Sequence, residues 1–259
     1  ADKKQKSDTI RETKYVYDTK NRLVSYTDPE GRTETYTYDC NSNLTKTVDK
    51  NENTLKNTYD NQNRLTERTA KEKKTGKETV HTYRYNAYGD VAVQDDTQFV
   101  YGDVSGQVTK ETTKLTKNKD VVKNYTYDSK GNKSTFSVKA GEDTKLSLSY
   151  EYDGSSRLIA VKDSEGNRAV SYAYDTEGSL SERQAANGLK TTYGYDYQNR
   201  LTSMTNETGK GVVSKYSSTY LKNGQKAEEV STVMDKNGKS TKKTAAYTYD
   251  MLGRITRER

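Results

Sequence analysis

The chain lacks most of what a densely cored protein is built from. Leu, Ile, Val and Phe together supply 36 of 259 residues, or 14%. Tryptophan is absent, proline and cysteine occur once each (Pro29, Cys40), and His81 is the single histidine. So thin an aliphatic supply excludes an ordinary packed α/β enzyme core. One cysteine excludes an internal disulfide framework, and cysteine poverty suits both the cytosol and a secreted bacterial protein. No run of about 18 apolar residues exists, so no membrane-spanning helix is expected. The opening residues Ala1-Asp2-Lys3-Lys4-Gln5-Lys6 are polar and hold no signal-peptide core.

What the chain does contain argues against disorder. It has 23 Tyr and 36 Thr, both strand formers. Its net charge of +7 is small beside the 31% of residues that are charged. Disorder goes with few aromatics and a high net charge, and neither holds. The composition predicts a polar, Tyr-rich β-protein whose order comes from something other than an aliphatic interior.

That something is a repeat. The string Tyr-x-Tyr-Asp occurs as Tyr15-Val16-Tyr17-Asp18, Tyr36-Thr37-Tyr38-Asp39, Tyr125-Thr126-Tyr127-Asp128 and Tyr150-Glu151-Tyr152-Asp153. It recurs as Tyr172-Ala173-Tyr174-Asp175, Tyr193-Gly194-Tyr195-Asp196 and Tyr247-Thr248-Tyr249-Asp250. Weaker copies end at Tyr59 (followed by Asp60), Tyr85, Tyr101 and Tyr220. The eleven copies are spaced about 23 residues apart on average, with unequal steps that mark loops of variable length. They divide the chain into a lead-in at 1–14 and an array of about eleven repeats over 15–259.

Each unit holds two strand-length segments separated by Asp-led turns. In the copy spanning 18–39, Asp18-Thr19-Lys20-Asn21 precedes one segment, and Asp28-Pro29-Glu30-Gly31 precedes the next. Asp at the first position of a type I turn accepts hydrogen bonds from backbone N–H groups just ahead of it. Gly or Asn at the fourth position adopts the left-handed conformation that closes a hairpin. Strict alternation puts Tyr36 and Tyr38 on one face and Thr35 and Thr37 on the other. By the same count Val24 and Tyr26 share a face, and Leu23 opens its strand on the opposite one. Which face is inward stays open. Two strands per unit give about 22 antiparallel strands, too many for a flat open sheet, so the sheet is expected to coil into an arc or partial shell. Stability in such an array is roughly a sum of nearest-neighbour terms.

Tyr-Asp followed by Asn/Gly-Arg/Asn-Leu, with Asp-x-x-Gly ahead of the next Tyr-x-Tyr-Asp, resembles the YD repeats of Rhs proteins. They also occur in wall-associated WapA-type proteins of Gram-positive bacteria, in the C component of insecticidal toxin complexes and in teneurins. The Lys-, Asn- and Thr-rich composition is closest in character to the WapA type. The resemblance implies a β-ribbon spiralled into a hollow shell. It further implies a C-terminal toxin, frequently a nuclease, that the shell sequesters and helps present in contact-dependent competition between bacteria. This chain shows neither the proline-rich core nor the toxin, so it reads as a section of shell. Its expected partners are the remaining shell repeats and the toxin of the same parent chain. Its expected location is secreted or cell wall-associated, without membrane insertion. The alternative is an adhesive module that binds cell-wall or surface carbohydrate through its Tyr-rich repeats.

No residue set predicts catalysis, a cofactor or a metal. The repeat aspartates Asp18, Asp39, Asp60, Asp128, Asp153, Asp175, Asp196 and Asp250 are explained together as turn formers. The loops Asp163–Asn167 and Asp235–Gly238 lack the alternating acidic ligands of a calcium loop. His81 has no acidic or nucleophilic partner at motif spacing, and Cys40 takes a variable second turn position, as an exposed thiol does. Basic charge interleaved with Tyr suits single-stranded nucleic acid, but Lys is dispersed among nearly as many acids, so nucleic acid is not an expected partner. The Lys-rich stretches Lys71–Lys74 and Lys114–Lys123 are expected in hairpin loops. Gly209-Lys210-Gly211 lacks the spacing of a phosphate loop.

Overall fold

The computed structural model describes residues 12–116, 119–235 and 237–259. The lead-in assigned to 1–14 lies outside the described residues except for its last three. Among the described residues all regular structure is β, in twenty-two strands that form an antiparallel sheet. The chain divides into two units, Ala1–Val121 and Val122–Arg259.

The first unit contains β1 (Lys14–Tyr17), β2 (Leu23–Thr27), β3 (Thr33–Tyr38), β4 (Leu44–Val48), β5 (Thr54–Tyr59), β6 (Leu65–Lys71), β7 (Glu78–Tyr85), β8 (Val91–Gln94), β9 (Thr97–Tyr101) and β10 (Val108–Thr116). Strand β11 (Lys119–Tyr127) crosses the division. The second unit continues with β12 (Lys133–Ala140), β13 (Asp143–Tyr152), β14 (Leu158–Lys162), β15 (Arg168–Tyr174), β16 (Leu180–Ala185) and β17 (Lys190–Tyr195). It ends with β18 (Leu201–Thr208), β19 (Gly211–Tyr220), β20 (Lys226–Met234), β21 (Ser240–Tyr249) and β22 (Ile255–Glu258). From β1 to β10, and again from β12 to β22, each strand pairs antiparallel with the next.

The turns explain this order. In the turn from Asp18 to Arg22, the Asn21 N–H donates to the Asp18 carbonyl at 3.0 Å, and the Asp18 N–H donates to the Arg22 carbonyl at 2.9 Å. Asp18 Oδ1 accepts from the backbone of Lys20 and of Arg22 at 2.9 and 3.0 Å. Asn21 sits at φ 59°, and Asn tolerates that conformation better than most residues. The same pattern recurs at Asp39, Asp60, Asp153, Asp196 and Asp250. Loop Glu72–Lys77 closes on a wider turn. The Lys-rich stretch Lys71–Lys74 accordingly leaves its strand after Lys71. Lys114–Lys123 differs from the expectation. Its described residues belong mostly to β10 and β11 and not to a loop, because Thr, Leu and Val supply strand preference between the lysines.

The alternation also needs one correction. Tyr17 pairs with Leu23 while Val16 pairs with Ser25, so one residue of β2 is extra. The same shift sets Tyr38 opposite Leu44, Tyr59 opposite Leu65, Tyr152 opposite Leu158 and Tyr174 opposite Leu180. A β-bulge at each Tyr-Asp hairpin therefore brings the strand-opening Leu onto the Tyr face and raises the local twist. Strict period-two counting put it on the other face.

Among the described residues Ala160 is the single buried hydrophobic side chain. The Tyr face is the half-buried one: in β3, Glu34, Tyr36 and Tyr38 are half-buried, and Thr33, Thr35 and Thr37 are exposed. Cross-strand threonine pairs join neighbours, as in Thr58–Thr66 at 3.1 Å and Thr126–Thr135 at 2.7 Å. The buried Thr191 and Ser214 are both paired through Asn206. Thr191 donates to Asn206 at 2.8 Å, and Asn206 donates to Ser214 at 2.9 Å.

Candidate functional site

The recurrent cluster of side chains is a clasp between one repeat and the next. The hydroxyl of Tyr38 donates to the carbonyl oxygen of Leu23 at 2.9 Å. Arg22, the residue before that Leu, lays its guanidinium 4.6 Å above the centre of the Tyr38 ring. Arg22 is held from behind, because its Nε donates to Asp18 Oδ2 at 2.7 Å. One turn aspartate thus aims an arginine at the tyrosine of the following repeat.

The clasp repeats through both units. Tyr85 bonds to Leu65 under Arg64, and Tyr174 bonds to Leu158 under Arg157. Tyr220 bonds to Leu201 under Arg200. Where the turn ends in a shorter residue, the hydroxyl bond persists without a stacked cation. Examples are Tyr59 to Leu44, Tyr101 to Val91, Tyr152 to Lys133, Tyr195 to Leu180 and Tyr249 to Lys226. Burial raises the pKa of Tyr101, Tyr152 and Tyr195, which keeps these hydroxyls protonated as donors.

The first tyrosine of each pair has another role. Tyr15 stacks against Tyr26 with ring centres 5.2 Å apart, and Tyr125 meets Phe136 at 5.1 Å. Burial, helped by a hydrogen bond to Glu34, pushes Tyr36 up to about 12. Burial also raises Tyr150. Tyr172, Tyr193 and Tyr247 lie on the same half-buried face of β15, β17 and β21. Asn57 replaces the first tyrosine before Tyr59. Its side-chain N–H donates to the Leu44 carbonyl at 2.8 Å, which also accepts from Tyr59 at 2.9 Å.

The turns are tied sideways as well. Arg22 donates to the Asp39 carbonyl at 3.1 Å, Asn43 donates to Asn63 at 2.8 Å, and Asn132 donates to Ser156 at 3.1 Å. On the opposite edge of the sheet, Asp28 is buried to 3% side-chain exposure and accepts Arg32 at 2.8 Å and Lys50 at 3.2 Å. Burial alone would raise the Asp28 carboxyl. Hydrogen bonds from the backbone and guanidinium of Arg32 and from Lys50 outweigh it and hold the pKa at about 2. The carboxyls of Asp18, Asp39, Asp128 and Asp196 are lowered chiefly by the side chain at the fifth turn position, and those of Asp60, Asp153 and Asp250 by its backbone N–H. Asp175 accepts the Ser179 N–H at 2.7 Å.

Sequence reasoning missed the fifth turn residue as the clasp's cation, although Asp-x-x-Asn-Arg-Leu was visible at Asp18 and Asp60. It placed Tyr85, Tyr101 and Tyr220 only among the weaker copies because their flanking residues are irregular, yet their hydroxyl bonds match the others. His81 does have an acidic partner, Asp95 at 2.8 Å, reached across a hairpin. Asp95 also accepts the Thr82 N–H at 2.7 Å, and the His81 contact is the main cause that lowers its carboxyl. Both side chains are partly exposed. Cys40 is exposed. No group of three or more His, Cys, Asp or Glu residues among the described residues is placed to hold a metal. An open groove of about 500 Å³ is lined by Thr47, Leu55, Ala70 and Thr79 of β4–β7, in the row that tyrosines occupy elsewhere. These contacts hold neighbouring hairpins together.

Known proteins agree with this geometry. The family model described as RHS Repeat matches residues 17–54 and 174–210. Two segments of the chain, together less than a third of it, are similar to RHS repeats. The matched segments begin at Tyr17 and Tyr174 and run through the several turns that follow each. A likeness in fold to solved structures extends well beyond them. The solved structure described as TcdB2-TccC3-Cdc42 superposes on 94% of this chain with a TM-score of 0.73 at 13% identity. The structure of TcdB2-TccC3 without its hypervariable C-terminal region matches the same share with a TM-score of 0.72 at 13% identity. The chain spans 14% of the length of each of these proteins. No curated protein matches it.

Proposed function

We propose that this chain is a section of wall in a protein shell that encloses a toxin polypeptide. The reading rests on one observation: RHS-repeat hairpins are clasped to one another in series, with one buried hydrophobic side chain among the described residues. Such a sheet gains stability from its neighbours and leaves both faces free, as a wall requires. Its work is steric, separating the enclosed segment from its surroundings, and no step of it is catalytic. The finer reading is a WapA-type protein of a Gram-positive bacterium, secreted or held at the cell wall. Its C-terminal toxin would act in contact-dependent competition. The fold shared with TcdB2-TccC3 supports the wall reading through fold alone.

Limited proteolysis of the parent protein tests this. Deleting residues 15–259 is expected to expose the polypeptide downstream to cleavage and to make the producing cell sensitive to it. Unchanged protection would overturn the reading.

Adhesion is a second reading, favoured by Tyr88 and Tyr197. These rings stand 91% and 92% exposed at hairpin tips, and exposed aromatic rings can stack on sugars. Saturable, ligand-specific binding on a glycan array, lost in a Tyr88→Ala/Tyr197→Ala variant, would support adhesion over enclosure.

A further inference from the structure

The aromatic row on the half-buried face has a gap at Ser218. The first position of the Tyr-x-Tyr-Asp string holds an aromatic residue in nine of its eleven copies, and Asn57 and Ser218 in the other two. Asn57 fills its place. It is buried, donates to the Leu44 carbonyl at 2.8 Å and accepts from Arg68 Nε at 3.0 Å. Ser218 is smaller, and its hydroxyl has no partner among the described residues. A concavity of about 310 Å³ opens there. Ser218 lines it between Tyr216 and Tyr220, its neighbours on the same face of β19. Met204 of β18, opposite Tyr216, stands on one side, and Glu229 of β20, opposite Ser218, on the other. Lys226 pairs with Glu229 in the same lining. Strands β17 and β21 are paired on either flank, so the gap lies within the array and not at an end of it.

The gap has the size and the lining of a ring site. An apolar cavity of roughly 150 Å³ takes up benzene, and this concavity exceeds that. Tyr220 is already engaged, with its hydroxyl on the Leu201 carbonyl at 2.7 Å and its ring 4.7 Å below the Arg200 guanidinium. Tyr216 is not. It is half-buried, and neither its ring nor its hydroxyl has a partner among the described residues. Met204 adds a polarisable sulfur, which favours contact with aromatic rings. The Lys226–Glu229 pair and the Ser218 hydroxyl supply donors and acceptors that suit a phenol. Other copies show what the position holds: Tyr172 and Tyr193 occupy it in β15 and β17, half-buried on this same face.

We infer that the gap at Ser218 receives an aromatic side chain, tyrosine above all, from the polypeptide that the wall encloses. The source of the ring rests on the wall reading; the socket itself does not. An aromatic side chain seated in a pocket is a common anchor of a protein contact. Tyrosine is favoured over phenylalanine because Lys226, Glu229 and Ser218 can bond its hydroxyl, and over leucine because its ring meets Tyr216 and Met204. The inference assigns the half-buried face of β18–β20 to the enclosed side.

Methionine-methyl NMR on the 259-residue chain tests the socket, because Met204 lines it and Met251 is an exposed control. With N-acetyl-tyrosinamide as the probe, the Met204 signal is expected to move saturably while Met251 stays. N-acetyl-leucinamide is expected to bind up to about tenfold more weakly. Ser218→Tyr, which fills the gap with the chain's own ring, is expected to abolish the shift, and Ser218→Ala to keep it. Circular dichroism and the melting temperature establish that each variant is folded. No saturable shift at Met204, an equal shift at Met251, or binding retained in Ser218→Tyr would each overturn the inference. Equal binding of the leucine probe or of N-acetylglucosamine would overturn it too. The source of the ring is tested in the parent protein with a diazirine-bearing lysine analogue in place of Lys226. Illumination is expected to join it to an aromatic-containing peptide downstream of residue 259. Crosslinks confined to residues 15–259 would overturn the inference, whereas the wall reading is decided separately by protection from proteolysis.

Discussion

The guanidinium of Arg157 lies 4.6 Å over the ring of Tyr174, and the hydroxyl of that tyrosine donates at 2.9 Å to Leu158, the next residue after the arginine. Two adjacent residues of one repeat thus grip a single ring of the following repeat from its face and from its tip. Tyrosine suits this role because it combines a large flat ring with a hydroxyl donor at its tip. Phenylalanine would keep the stack and drop the bond. The recurrent aromatic is therefore a fastener between repeats, not filling for a core.

Breaking one clasp should cost a definite amount. Tyr174→Phe leaves the Leu158 carbonyl without that donor and is expected to cost about 0.5–1.5 kcal/mol. Arg157→Ala removes a cation–π contact of about 0.5–1 kcal/mol. Because both act on one ring, their effects are coupled. A double-mutant cycle read by urea unfolding should give a non-zero interaction energy. Strict additivity would show that stack and bond are independent.

The effect should also be local. Each repeat is stabilised chiefly by its neighbours, so a weakened clasp opens the hairpins it joins before the rest. In Tyr59→Phe, amide exchange is expected to quicken in β4–β6 and to stay unchanged in β19–β21. Uniform acceleration across both segments would mean that the array opens as a whole.

How much of this was legible in the sequence depends on distance along the chain. The hairpin turns were legible because Asp18 and Asn21 satisfy one local geometry within four residues. The strand count followed from the spacing of the tyrosine pairs. The arginine's role was not legible, since the fifth turn position holds Arg22, Asn43, Arg64, Asn132, Ser179 and Arg200 in different copies. Its target ring lies a repeat further on. Leu23 was assigned to the wrong face because a bulge breaks alternation, and a bulge adds no residue type to mark itself. The half-buried row was illegible because its members, from Tyr36 to Thr47 and Ala70, share no polarity.

Acid should unfold the chain through its turns. The Asp28 carboxyl is held at about 2 against an ordinary value of 3.8. A lowered folded-state value contributes stability that is fully present above pH 3.8 and is lost as pH falls through about 2. The aspartates at 18, 39, 60, 128, 153, 196 and 250 shift in the same direction. Denaturant midpoints are therefore expected to drop steeply below pH 4. Asp28→Asn should be less stable at pH 7, with a shallower fall between pH 4 and 2. A wild-type curve that is flat across that window would remove the aspartates from the account.

Backbone strain offers the opposite test, a gain. Glu52 sits at φ 61° in the fourth turn position, where Gly31, Gly131 and Gly253 stand in equivalent turns. A side chain in that conformation costs roughly 1–2 kcal/mol, whereas glycine adopts it freely and gives up about 0.5–1 kcal/mol of unfolded-state entropy. Glu52 also pairs with Lys73 at 2.8 Å, but both side chains are largely exposed, and such pairs contribute little. Glu52→Gly is thus expected to raise stability by about 0.5–1 kcal/mol in urea unfolding. A loss of similar size would mean that the tie from this turn to Lys73 outweighs the strain, and that the lateral contacts along this edge of the sheet matter more than the geometry of each turn.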